Sequence, residues 1–210
     1  MRKTFAGLAA AAAGLQLLRI GFKAWVFSFT DRTLLLDTAA SCLYMLAVTG
    51  LLAAAARREK GAWTVFPAAF TRKYQLGTAA VLGFFLVTLG VTGVDTPARL
   101  LSLVYNAVVT VVFEELLFRG FFYRVLSREK NEKAALFLSA LLFGLWHLGY
   151  ADTVLWRAAL FFPGTDVPQV LLGKAVTGCA IGVLLGLLRY RCKNVYAAML
   201  AHSLLNTWGS

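Results

Sequence analysis

The stretch VVFEELLFRGFF, residues 111–122, sets two adjacent carboxylates and a guanidinium, Glu114, Glu115 and Arg119, into an otherwise apolar run. A charged side chain at mid-bilayer costs roughly 2.5–3.5 kcal/mol to insert, so three unpaired ones would approach about 7–10 kcal/mol. Spacing offers partial relief. Glu115 and Arg119 are i,i+4 with the acid first, the favourable order for an ion pair on one helical face. Glu114 is rotated about 100° from Glu115 by the 3.6-residue period, which leaves it facing something else. The chain has only two histidines, and both lie in apolar runs. His147 closes FGLWH with Phe143 one turn earlier on the same face, and His202 and Asn206 in HSLLN put two polar groups on one face.

These residue types suit one kind of chemistry. A carboxylate beside an imidazole can hold and deprotonate a water. A second imidazole and an amide can donate hydrogen bonds to a carbonyl oxygen as it becomes negative. Together they are the minimum equipment for hydrolysing a peptide bond by direct water attack.

What must position them is a set of membrane helices. The 210 residues are 60% hydrophobic and 15% charged, with a mean hydropathy of +0.71, whereas a soluble domain carries about a quarter charged residues. Apolar stretches of roughly 20 residues recur, the pattern of an all-α, polytopic transmembrane bundle. Seven spans are predicted, at about 4–18, 33–56, 75–94, 100–123, 134–150, 170–188 and 194–209. They make one integral membrane domain of residues 1–210 and leave no length for a second, soluble one. The first, after Arg2 and Lys3, also has the charged start and small residues of a signal peptide. The embedded character of the remainder favours a retained span, which can continue as one long helix towards Phe29. Segment 151–169 is interrupted by Pro163, Gly164 and Pro168 and is read as non-spanning, its first half a short interfacial helix with Trp156 and Phe161 at headgroup level.

The loops set an orientation. Fourteen Lys and Arg fall at the N-terminus and in 57–73, 124–133 and 189–193, against five in 19–32, 95–99 and 151–169 on the other side. The positive-inside rule therefore puts the N-terminus in the cytoplasm. The same loops explain the net charge of +11 by contact with anionic headgroups, not nucleic acid. At 1.5 Å per residue, Glu114 lies about 15 Å from the cytoplasmic end of its span, His147 about 20 Å, and His202 and Asn206 about 12 and 18 Å. Oppositely directed spans thus bring all four to one layer, and they are expected to converge on one cavity.

Other features have plainer readings. Cys42, Cys179 and Cys192 lack metal-ligand spacing and are packing thiols. Gly178, Gly182 and Gly186 form two GxxxG steps, read as packing within the bundle, with homodimerisation as the unsupported alternative. Asp37 and Lys174 lie near outer span ends as interfacial residues, and Phe121, Phe122 and Tyr123 mark the cytoplasmic boundary. Arg119, about 7 Å from that end, has a snorkelling arginine as its structural alternative.

In order and spacing, the three polar blocks resemble the CPBP intramembrane proteases, which include CAAX prenyl endopeptidases and bacteriocin-processing and immunity proteins. That family's pattern is EExxxR, FxxxH and HxxxN or HxxxD on separate helices. Here it is met by Glu114 to Arg119, Phe143 to His147 and His202 to Asn206. The resemblance covers about residues 100–209 and implies a protease-like core there. It implies a glutamate-dependent endopeptidase in which Glu114 and His147 activate water and His202 and Asn206 form the oxyanion hole. Glu115 and Arg119 would support the site, and Phe143 would shape the pocket. The family has also been called metallopeptidase, which would make Glu114, His147 and His202 zinc ligands. With no HExxH in the sequence, metal-free chemistry without a cofactor is the expectation. The implied partners are the lipid bilayer and a membrane-anchored peptide or protein, with CAAX-type prenylated substrates among the options; the implied location is a prokaryotic plasma membrane. Two other functions compete. A non-proteolytic scaffold or immunity protein would not need unpaired buried charge. A proton-coupled transporter would lead one to expect repeat symmetry and broken helix pairs.

Overall fold

In hydrocarbon every backbone polar group must be satisfied within the chain, which restricts long apolar segments to helices. The computed structural model describes residues 2–59 and 63–209, and those residues form seven helices and no strand. They are α1 (Arg2–Val26), α2 (Leu34–Arg58), α3 (Arg72–Val91), α4 (Pro97–Glu129), α5 (Glu132–Phe161), α6 (Val167–Cys192) and α7 (Tyr196–Trp208). The first six are long and apolar enough to cross a membrane. At 13 residues, α7 is shorter than the roughly 20 a full crossing needs.

The helix ends follow local chemistry. Thr33, Thr96, Asn131 and Asp166 each accept a hydrogen bond from the backbone N–H three residues on, satisfying a donor the first turn leaves free. Lys193, at φ 57°, terminates α6 in the left-handed conformation. Inside α4 the hydrogen-bond ladder widens into π-type turns at Tyr105–Val109 and Leu116–Phe122.

Side-chain contacts give the arrangement. Tyr44 of α2 donates to the Leu15 carbonyl of α1, while Lys23 meets Asp37, so these helices run antiparallel. The bundle's tightest seam is α5 against α6, also antiparallel. There Gly178, Gly182 and Gly186 face His147, Ala140 and Leu136, and a Cβ on any of them would lie 2.8–3.0 Å from its neighbour. That glycine stripe packs within the chain. None of the α3 residues is buried, and this helix rides on the edge against α7 through Thr78–Tyr196 and Phe84–Trp208. Leu51, Leu86 and Val91 are 64–80% exposed, as expected of surface that faces lipid.

Several sequence expectations change here. The first helix does extend well beyond residue 18, to Val26, so Arg19 and Lys23 belong to a helix and not to a loop. Residues 151–161 are not a separate interfacial helix. They continue α5 beyond a tight 3₁₀ turn at His147–Tyr150, because the breaking residues Pro163 and Gly164 come only after Phe161. Phe122 and Tyr123 are buried in the core, packed among the helices instead of facing lipid. Asp37, in the first turn of α2, is 1% exposed and ion-paired.

Candidate active site

Glu114 and Glu115 close the regular turn Thr110–Glu115 of α4, and Arg119 sits in the wide turn that follows. Such π-type turns inside α-helices recur at functional sites. Glu115 and Arg119 are both 0% exposed and pair at 3.1 Å. Arg119 also donates to the Gly182 carbonyl of α6 at 3.1 Å, and its guanidinium lies 4.3 Å from the centre of the Phe143 ring. Full burial and these partners rule out the snorkelling role for Arg119.

Glu115 has a second partner that helical spacing could not reveal. Its Oε1 accepts from His202 Nδ1 at 2.9 Å. A carboxylate oxygen only accepts, so the His202 proton on that side resides on Nδ1 and Nε2 is left for other work. Nε2 lies 3.8 Å from Glu114 Oε2. His202 therefore lies between the two carboxylates, bonded to Glu115 and beyond hydrogen-bond reach of Glu114.

Glu114 is held differently from the sequence expectation. Its Oε1 accepts from Trp146 Nε1 at 3.0 Å and from the Tyr150 hydroxyl at 3.1 Å. These two donors, both on α5, take the place expected for His147. His147 instead gives its Nδ1 to the Phe143 carbonyl at 2.7 Å. Because a carbonyl cannot donate, Nδ1 carries a proton, and in the neutral form of the ring Nε2 is an acceptor. Phe143 packs edge-on against both histidines, with ring centroids at 4.8 and 5.8 Å. Asn206 donates from Nδ2 to the Asn106 carbonyl at 2.9 Å, one of that nitrogen's two N–H bonds.

Glu114, His147, His202 and Asn206 all line one cavity of about 530 Å³, together with Tyr105 and Tyr150. Towards the α5–α6 connection the same cavity is walled by Asp37, Thr153, Arg157 and Lys174. Arg157 and Lys174 are exposed. Asp37 pairs with Lys23 and Arg32, both at 2.7 Å, and Asp152 pairs with Arg19 at 2.5 Å and Lys23 at 3.2 Å. The sequence reading missed Trp146, Tyr150 and this ion network. Trp146 and Tyr150 share one face of α5 at i,i+4 beside His147, a signal that was present but indistinguishable from ordinary interface aromatics.

Among the described residues no three His, Cys, Asp or Glu side chains group as a metal site.

Fold and site define a multi-pass helical membrane protein with a carboxylate–histidine cavity in its interior. The model of one family, described as type II CAAX prenyl endopeptidase Rce1-like, matches residues 96–208. The chain belongs to that protease family. No curated protein and no solved structure matches it. The matched segment contains all three polar blocks, and α1, α2 and α3 lie outside it.

Proposed function

We propose that this protein is an intramembrane endopeptidase that hydrolyses a peptide bond of a membrane-anchored substrate with a water activated by Glu114 and His147. The observation that carries the reading is the division of labour on Glu114. One oxygen is fixed by Trp146 and Tyr150, while the other faces the cavity that His147, His202 and Asn206 also line. A fixed carboxylate with one free oxygen is what a general base needs. His147 Nε2, a lone-pair acceptor, orients the same water. The water oxygen attacks the carbonyl carbon as its proton passes to Glu114. His202 Nε2–H and the Asn206 side-chain amide meet the oxyanion, in the role of an oxyanion hole. Collapse of the tetrahedral intermediate breaks the C–N bond, and Glu114 returns the proton to the leaving amine. Glu115 holds the His202 ring through Nδ1, and Arg119 in turn fixes Glu115.

The family's activity makes a prenylated C-terminal peptide the first substrate to try. The test compares purified wild-type protein with Glu114→Gln on membrane-anchored peptides, prenylated and not, with and without a chelator. Wild-type cleavage that chelator leaves intact and Glu114→Gln abolishes is the expected result. Equal cleavage by both forms would end the role given to Glu114. Activity lost to chelator and restored by zinc would overturn the metal-free mechanism.

A further inference from the structure

The helix that holds Glu114's two donors in place is not the one that carries them. Trp146 ends the regular part of α5, and Tyr150 ends the tight His147–Tyr150 turn. Both borders of that turn are fastened by buried side chains of α1. Gln16 Nε2 donates to the Trp146 carbonyl at 3.0 Å, and Arg19 Nη2 donates to the Gly149 carbonyl at 2.8 Å. The two clamps are themselves joined, since Arg19 Nε donates to Gln16 Oε1 at 2.8 Å. Arg19 also lies 4.9 Å from the centre of the Tyr150 ring. Just beyond the turn it pairs with Asp152, while Lys23, one turn further along α1, donates to Thr153 at 2.9 Å. The fit at Gly149 is close: a Cβ there would lie 2.4 Å from Cγ and Cδ of Gln16.

Gln16, Arg19 and Lys23 are 5%, 1% and 2% exposed. Burying a long polar face on a membrane helix is expensive unless each group finds partners. Lipid anchoring alone would not require such a face. Every polar atom of Gln16 and Arg19 that makes a bond here points at the turn, at Asp152 immediately after it, or at the other clamp residue. The other charges around this seam are Asp37, which Lys23 and Arg32 hold, and Arg32 itself, 3.5 Å from Asp152.

We propose that Gln16 and Arg19 are positioning residues for the reaction, acting through Trp146 and Tyr150 to set the orientation of the Glu114 carboxylate. Neither lines the cavity, and both lie outside the family-matched segment. The inference rests on the role given to Glu114 above. Its consequence is that the matched core, residues 96–208, is incomplete without α1.

The test is a double-mutant cycle on the full chain in detergent or vesicles, using the membrane-anchored peptide that the wild type cleaves best. Gln16→Met and Arg19→Gln are each expected to lower kcat about tenfold, as for lost hydrogen bonds acting on a charged group, with KM within about twofold. In a Tyr150→Phe, Trp146→Phe background the same substitutions should change kcat by less than about twofold, because the path they act through is gone. Thermal unfolding of each variant is measured alongside. If Arg19→Gln does not fold, Gln16→Met carries the cycle alone. Losses of equal size in both backgrounds, or single variants with wild-type kcat, would overturn the proposal. Failure of the underlying reading looks different: Glu114→Gln would then cleave like the wild type, whatever α1 does.

Discussion

Replacing Glu115 by Gln tests whether the buried charges are structural or chemical, because Glu115 and Glu114 are adjacent yet differently employed. Glu115→Gln leaves the Arg119 guanidinium, 0% exposed, without its counter-charge. Breaking a buried pair by removing one partner costs about 3–5 kcal/mol. Arg119 keeps the Gly182 carbonyl and the Phe143 ring, and a glutamine oxygen can still accept, so the lower end, about 3 kcal/mol, applies. For a chain of this size that is a fall in Tm of about 6–12 °C. Glu114→Gln should behave differently. Its Oε1 can still accept from Trp146 and Tyr150, so stability should change by no more than about 1 kcal/mol while activity is lost. Tryptophan-monitored thermal unfolding in one detergent, with the cleavage assay in parallel, reads both. The combined change Glu115→Leu, Arg119→Met should recover most of the stability, since an apolar pair of similar volume often replaces a buried ion pair without loss. The reasoning is refuted if Glu115→Gln melts with the wild type, or if Glu114→Gln is the less stable of the two.

Three further outcomes are expected. Tyr150→Phe and Trp146→Phe each remove one donor to Glu114, and each should reduce kcat about ten- to a hundredfold in the peptide-cleavage assay. Gly144→Ala would put a Cβ 2.1 Å from Cys179 Sγ and 2.7 Å from the Ala175 carbonyl oxygen. It should destabilise by about 1–3 kcal/mol, whereas Gly50→Ala, with nothing within 4 Å of the added Cβ, should melt like the wild type. Asp152→Asn removes the counter-charge of Arg19 and one of those of Lys23, and should lower Tm by several degrees in the same unfolding experiment.

Much of the bundle was legible in the sequence because lipid imposes a simple rule: an apolar run near 20 residues must be a helix. The Glu115–Arg119 pair was legible for the same reason, since i,i+4 contacts depend only on helical period. So was the convergence of Glu114, His147, His202 and Asn206 on one cavity, which follows from depth along oppositely directed spans. Depth does not fix rotation about a helix axis or the pairing of side chains across helices, and the tertiary structure decided those. It gave Glu114 to Trp146 and Tyr150, and turned His147 to its own backbone. It joined His202 to Glu115 and buried Arg119 completely. The buried face of α1 was the least legible part. Gln16 lies at the end of the first predicted span and Arg19 and Lys23 beyond it, where the sequence reads a loop, and the turn at His147–Tyr150 with the residues just after it supplies the partners that let a helix carry them inside.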